Sequence, residues 1–227
     1  MKKAAAAEDL SAKKELALQV IDRLKTEYPD AACTLDYDHA WQLLVSVRLA
    51  AQCTDARVNI VVQDLFAKYP NVAALAAAKP DEIEAIVKPC GLGRSKARDI
   101  SACMRVLRDK YNCKVPTTFE ELLALPGVGR KTANVLGAVL WQKEVMPVDT
   151  HVFRVSNRIG LTTNSKTPLQ TELTLEKNIP PHLLPVAHHW LILHGRYVCT
   201  ARAPKCGECG IAVWCRKYAA DHKAPKD

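Results

Sequence analysis

Residues 125–131 read Leu-Pro-Gly-Val-Gly-Arg-Lys and join two stretches of helical periodicity, 118–125 and 131–140. Two glycines flank one apolar residue, which allows a tight turn that side chains would obstruct. The next helix then begins with its amides facing outward, where they bind a phosphate together with the charges of Arg130 and Lys131. Such a contact holds DNA without reading its sequence. The alternative is a plain connection between two helices with exposed basic residues.

The pattern remains helical on both sides of this segment, and no convincing β-hairpin interrupts it. Pro and Pro-Gly breaks occur at helix-length spacing. The polar segment 161–174 is expected to be a connecting loop, and a domain boundary would lie in a tight turn such as 143–147. The sequence therefore predicts an all-α protein, with helices over 11–28, 39–52, 56–69, 80–87, 95–111, 118–125, 131–140 and 150–159, and a final apolar helix near 183–195.

The charge balance points to a polyanionic partner. The 227 residues include 32 Lys and Arg against 24 Asp and Glu, a formal charge of +8, which favours nucleic acid. No apolar stretch reaches the roughly 20 residues of a membrane helix. The basic start at 1–3 lacks the apolar core of a signal peptide, because acidic Glu8 and Asp9 soon follow. We therefore expect a cytoplasmic protein that does not span a membrane.

Lys131 is the hairpin residue suited to chemistry, because a lysine amine in its neutral form is a nucleophile toward a sugar carbon or an aldehyde. The alternative is a solvated lysine that binds phosphate. Asp149 follows Pro147 and Val148, where it can cap the next helix. The same carboxylate can face a cleft and stabilise positive charge on a sugar or assist proton transfer. The two roles of Asp149 are compatible.

Four of the nine cysteines crowd into one loop with the spacing Cys-x6-Cys-x2-Cys-x5-Cys, whereas the other five are scattered and are expected to be buried thiols. Four sulfur ligands suit zinc or an iron–sulfur cluster, and ligand chemistry alone leaves both open. The histidines offer no metal-like set with these cysteines, and His188-His189 is expected on a helix surface or lining a cleft. The clustered residues are Cys199, Cys206, Cys209 and Cys215.

Three motifs together resemble the endonuclease III family: Leu-Pro-Gly-Val-Gly-Arg-Lys-Thr-Ala-Asn at 125–134, Val-Asp-Thr-His-Val-Phe-Arg-Val at 148–155, and the four-cysteine loop. They occur in the family's order and spacing, and the likeness covers nearly the whole chain. The resemblance implies a helix-hairpin-helix DNA glycosylase fold of two helical domains with a DNA-binding cleft between them. The six-helix domain would span 34–146, and the iron–sulfur cluster domain would combine 1–33 with 147–227.

The resemblance also implies an activity and its residues. Lys131 would attack C1′ of a damaged pyrimidine nucleotide, expel the base and form a Schiff base, after which β-elimination cuts the strand with help from Asp149. The target base must leave the duplex. Gln52 would fill the vacated space and Leu92 would wedge beside it; the alternatives are a capped helix end and a buried apolar contact. The implied DNA-binding residues are Gln52, Leu92, Gly127, Val128, Gly129, Arg130 and His151.

The resemblance further implies that Cys199, Cys206, Cys209 and Cys215 hold a [4Fe–4S] cluster of mainly structural role, with Arg202 and Lys205 facing DNA phosphate. The expected partner is double-stranded DNA with damaged bases or abasic sites, bound by a monomer in a bacterial nucleoid. Gly93 stands where many relatives carry a bulkier residue, and Leu123 stands near the hairpin where some members have an acid. These departures bear on lesion preference more than on reaction type. The alternatives are a monofunctional mismatch or damaged-base glycosylase, which would usually lack the lysine, and a non-catalytic DNA-binding module.

Overall fold

The computed structural model describes residues 2–222, with side chains from 11 onward, and this range contains helices and no strand. None of its helices combines the length and apolar character needed to cross a bilayer. The all-α prediction is confirmed. The helices are α1 (Lys2–Glu27), α2 (Ala40–Leu49), α3 (Asp55–Lys68), α4 (Val72–Ala77), α5 (Pro80–Val87), α6 (Gly93–Lys110), α7 (Phe119–Leu123), α8 (Arg130–Trp141), α9 (Thr150–Ile159), α10 (Pro168–Asn178), α11 (Leu184–Tyr197) and α12 (Arg216–Asp221).

The polar segment 161–174 is not a loop throughout, so that prediction is wrong. Helix α10 begins at Pro168, and the hydroxyl of Thr167 accepts a hydrogen bond from Gln170 N at 3.2 Å. Proline suits the first helical position because its missing N–H would have no partner there. Leu175 is fully buried, and the wide solvent-facing side of α10 accounts for the polar composition. Capping, rather than apolar periodicity, is the signal that reveals this helix.

One compact unit spans Cys33–Trp141. Helix α6 lies at its centre and buries Ile100, Met104 and Leu107, and α4 and α5 pack against it. Helix α2 packs against α8, which continues from the glycine hairpin. The hairpin and α8 are therefore fixed to the apolar core of this unit.

The second compact unit combines residues 2–32 with 142–222. Helix α1 buries Val20, Ile21 and Leu24 and packs against α11, which also packs against α9. The indole N–H of Trp190 donates to Tyr28 O at 3.1 Å, a contact that joins α11 to the end of α1. The N-terminal helix thus packs into the same core as the C-terminal segments.

Candidate functional site

The glycine hairpin turns between α7 and α8 at Gly127, whose φ is +76°. A side chain would be strained there, and an added Cβ would lie 2.9 Å from Asp99 Cβ and 3.2 Å from Arg48 Nε. At Gly129 an added Cβ would meet no atom within 4 Å. The prediction that side chains would obstruct this turn is therefore confirmed at Gly127 and wrong at Gly129. The open space at Gly129 lets a ligand approach the backbone closely.

The first turn of α8 presents two exposed cations, Arg130 and Lys131. Ala133 N donates to Gly129 O at 3.0 Å, so the helical hydrogen bonds begin within the hairpin. Arg130 Cζ lies 4.9 Å from the ring centroid of Phe119, a cation–π contact that holds the guanidinium beside the hairpin. A helix N-terminus beside two cations fits an anionic ligand.

Lys131 is the second residue of α8, and its side chain is exposed. Burial raises the pKa of the nearby Cys33 thiol, while the charge of Lys131 acts in the opposite direction. The amine is therefore exposed to a ligand that binds the hairpin, and its charge acts on the Cys33 thiol.

Asp149 is the N-cap of α9, and its Oδ1 accepts a hydrogen bond from Val152 N at 2.8 Å. The predicted capping role is confirmed. Met146 and Val148, just before it, are buried and anchor the segment. Asp149 itself is only half-buried, so the cap leaves part of the carboxylate accessible to a ligand.

His151 is the second residue of α9 and is half-buried. Its Nδ1 is 3.2 Å from Arg154 Nη2, which also donates to Gly195 O at 2.8 Å and to Cys199 O at 3.1 Å. The arginine therefore ties α9 to the end of α11 and to the first cysteine of the loop. This network fixes the position of the imidazole.

Gln52 and Leu92 both adopt left-handed backbone conformations, with φ values of 57° and 52°. Gln52 lies in an exposed turn beyond Leu49, the last residue of α2. Leu92 is the N-cap of α6, and 57% of its surface is exposed. The alternative of a buried contact is therefore wrong for Leu92. The left-handed backbone conformation costs about 1–3 kcal/mol in a residue other than glycine.

The four clustered cysteines line one cavity of about 390 Å³, a volume that includes some open solvent. Cys199 follows α11, and its amide donates to His194 O at 2.8 Å. Two 3₁₀ turns, Cys206–Glu208 and Ala212–Trp214, carry the chain around the cavity to Cys215. Local turns and the end of α11 thus bring all four thiols to a common space.

Arg158 ties the first part of this loop to α9. Its Nη1 donates to Cys199 Sγ at 3.5 Å and to Thr200 O at 2.6 Å, and its Nη2 donates to Ala201 O at 2.8 Å. At the third cysteine of the loop, Cys209 Sγ lies 3.7 Å from His194 Nε2. These contacts order the backbone and two of the sulfurs.

The donor set fits an iron–sulfur cluster, whose irons are each held by a cysteine thiolate. Burial raises the pKa of Cys209 to about 11, so a metal must displace a proton to bind there. In the part of the chain with described side chains, no three His, Cys, Asp or Glu residues are grouped so as to hold a single metal ion. The four thiols that line one cavity match in number the thiolate ligands of such a cluster.

Sequence reasoning missed Arg154, Arg158 and His194 as parts of the loop's surroundings. The spacing of the two arginines, four residues apart on one face of α9, was the available signal. His188 is buried and its ring centroid lies 3.8 Å from that of His189, so the expectation of a surface position is wrong for His188.

Comparisons with known proteins agree with this geometry. Residues 45–181 match the model of the HhH-GPD superfamily base excision DNA repair protein, and residues 199–215 match the iron–sulfur binding domain of endonuclease III. Endonuclease III of Synechocystis sp. is 45% identical over 91% of this chain and 94% of its own. A trapped endonuclease III–DNA covalent intermediate superposes with a TM-score of 0.88 at 40% identity, covering 92% of this chain and 99% of that one. A thermostable thymine-DNA glycosylase shares the fold, with a TM-score of 0.83 at 23% identity over 92% of this chain and 99% of that one.

The helical fold, the glycine hairpin and the cysteine loop define a helix-hairpin-helix DNA glycosylase with an iron–sulfur domain. Within that class the chain belongs to the endonuclease III family. It is accordingly a base-excision repair enzyme, a DNA N-glycosylase that also cleaves abasic sites, and its cofactor is a [4Fe–4S] cluster. The family, activity and cofactor predicted from the sequence are confirmed.

Proposed function

We propose that this enzyme acts on damaged pyrimidines in double-stranded DNA with Lys131 as its nucleophile and Asp149 as its assisting carboxylate. The observation that carries this proposal is the position of Lys131, exposed in the first turn of α8 and directly after the Gly127 turn. A hairpin that binds backbone phosphate through 127–130 would bring that amine to a sugar. His151 would contribute a further DNA contact.

In the proposed reaction the amine of Lys131 replaces the base at C1′ of the damaged nucleotide. Nζ forms a bond to C1′ while the glycosidic bond breaks, and the base leaves with the electron pair and takes up a proton. The amine gives up two protons, one to the leaving base and one to the sugar oxygen O4′ as the C1′–O4′ bond breaks and the ring opens, and a C1′ imine results. A proton then leaves C2′ and the C3′–O bond breaks, which cuts the strand. The Asp149 carboxylate stabilises the positive charge on the sugar and assists these proton transfers.

The damaged nucleotide must leave the duplex before Lys131 can reach it, at a cost of a few kcal/mol. Gln52 would occupy the vacated space, and Leu92 would insert beside it. The exposed left-handed positions of both residues support these roles, because such strain is typical of functional sites.

The ligands of the cluster would be Cys199, Cys206, Cys209 and Cys215, which span the 199–215 match and line one cavity. The bound cluster supplies structural cross-linking of this loop. Arg202 and Lys205, both exposed in the loop, would then face DNA phosphate. We assign the six-helix domain to 34–146 and the cluster domain to 1–33 with 147–227, and we propose a monomer that works on damaged DNA in a bacterial cytoplasm, at the nucleoid.

Borohydride trapping tests the proposal. The purified holoprotein is incubated with a duplex that contains one thymine glycol or one abasic site, and reduction should yield a covalent protein–DNA adduct. Lys131→Gln should form no adduct, whereas Lys110→Gln, which removes an exposed lysine at the end of α6, should form as much as the unaltered protein. Base release without an adduct would instead establish a monofunctional glycosylase, and an adduct that persists in Lys131→Gln would assign the nucleophile to another residue.

A further inference from the structure

Lys96 is a fully buried lysine in α6, with no exposed surface. Its Nζ donates to two backbone carbonyls, Leu49 O and Cys90 O, each at 2.8 Å. Burial of an ammonium group is costly unless it is hydrogen-bonded, and burial lowers the pKa of Lys96. A helix surface that needed only a positive charge would leave this side chain in water. The role of this side chain is therefore to donate these two hydrogen bonds, rather than to place a charge on the surface.

Both carbonyls belong to helix ends. Leu49 is the last residue of α2, and Cys90 is the last residue of a 3₁₀ turn, Lys88–Cys90. Carbonyls at a helix C-terminus lack intrahelical partners and carry partial negative charge, so an ammonium group is well placed to bind them. The backbone amide of Lys96 also donates to Leu92 O at 3.0 Å. Lys96 thus holds the starts of two separate loops, 50–54 between α2 and α3 and 91–92 before α6.

These two loops carry Gln52 and Leu92. Gln52 follows Leu49 by three residues, and Leu92 follows Cys90 by two. Both side chains are exposed on left-handed backbone. A residue that joins Leu49 to Cys90 therefore sets the distance and orientation between the two segments from which these side chains project.

We propose that Lys96 is a positioning residue that locks the Gln52 and Leu92 loops into one rigid unit, so that both side chains enter the DNA together. The inference rests on the gap-filling roles proposed for Gln52 and Leu92. It predicts that Lys96 affects only the steps that require opening of a duplex. Formation of the Schiff base on an already accessible sugar does not depend on it.

The test compares two substrates with the holoprotein. Lys96→Met keeps most of the aliphatic stem and removes the donors. Single-turnover excision of thymine glycol from a duplex should fall at least about tenfold, because two buried carbonyls lose their partner. Borohydride trapping on a single-stranded oligonucleotide with one abasic site should change less than about twofold, since no base pair has to open. Lys110→Met, the same charge change on the same helix, should leave both measurements unaltered.

A second comparison separates positioning from general damage. In a Gln52→Ala, Leu92→Ala background, Lys96→Met should cause no further loss of duplex excision, because the side chains it positions are gone. An additive loss, an equal loss on both substrates, or undiminished duplex excision by Lys96→Met would each overturn the inference. If instead the proposed function were wrong, the unaltered protein would form no adduct that depends on Lys131. That result differs from each of the three outcomes above.

Amide hydrogen exchange of the unaltered holoprotein provides a test that does not depend on the folding of a variant. The amide of Cys53 donates to Ala50 O, and that of Gly91 donates to Lys88 O, so each reports on one loop. If Lys96 locks the loops together, the two amides open with equal free energy as one cooperative unit. Independent opening, with unequal protection of Cys53 and Gly91, would contradict the inference.

Discussion

The guanidinium of Arg48 donates two hydrogen bonds to the same carboxylate oxygen of Asp99, at 3.1 Å from Nε and 2.7 Å from Nη2. Both side chains are about four-fifths buried. The pair lies directly beneath Gly127, since an added Cβ there would meet Asp99 Cβ at 2.9 Å. The glycine hairpin therefore rests on an ion pair between α2 and α6.

Asp99→Asn should weaken this support. A half-satisfied guanidinium in a mostly buried site costs about 1–3 kcal/mol, and we expect the free energy of unfolding to fall by that amount. Loosening of the hairpin should also lower the affinity for duplex DNA. Denaturant unfolding and DNA titration measure the two effects. The control is Asp109→Asn on the same helix, because Asp109 forms an exposed ion pair with Arg108 and should change neither.

Gly127→Ala and Gly129→Ala should separate folding from DNA binding. Gly127→Ala combines a positive φ with a close contact and should cost about 1–3 kcal/mol of stability. Gly129→Ala should leave stability unchanged within about 0.5 kcal/mol but should lower DNA affinity, because its methyl group occupies the space for phosphate. Thermal unfolding and DNA titration in a Lys131→Gln background measure both. Full DNA affinity of Gly129→Ala would show that phosphate does not approach there.

Asp149→Asn should separate capping from chemistry. Asparagine caps a helix about as well as aspartate, so the hydrogen bond from Val152 N is kept and stability should not change. Single-turnover excision should fall at least about a hundredfold, because the carboxylate charge is gone. Asp149→Ala should lose the cap as well, at about 1 kcal/mol. If Asp149→Asn were fully active, Asp149 would be a cap and nothing more.

Arg158→Gln should loosen the four-cysteine loop, residues 199–215. Loss of its contacts with Thr200 O and Ala201 O leaves two carbonyls without that donor, and we expect about 2 kcal/mol less stability and faster loss of iron to a chelator. Iron content and visible absorption over time measure this. Arg202, which is exposed in the same loop, should instead affect DNA binding and not iron retention. Arg202→Gln should retain iron and reduce the salt dependence of DNA binding by about one counterion. Equal iron retention in the two variants would contradict the role of Arg158.

Helix assignment from the sequence succeeded where local signals were strong. The predictions 80–87 and 150–159 coincide with α5 and α9, because Pro80 and the Asp149 cap mark their starts. Helix α10 was missed because its buried face is narrow, and α4 because Val72–Ala77 is too short to show a helical period. Prediction from one sequence therefore failed where apolar periodicity was weak, although Thr167 and Asn71 cap the two helices that were missed.

The sequence by itself determined the class of chemistry. Residues 125–131 specify their turn through glycine and proline, and the cysteine spacing specifies a four-sulfur site, because both depend on chain geometry over few residues. The amine of Lys131 and the carboxylate of Asp149 are likewise properties of residue type and of a local helix start.

Only the tertiary structure decided how these segments are supported. Lys96 reads in the sequence as one more basic residue, and its burial depends on Leu49, which lies 47 residues away. Arg48 and Asp99 are 51 residues apart, and nothing local to either predicts the pair. Burial and ion pairing arise from contacts between distant parts of the chain, and these form only when the helices pack around a common core.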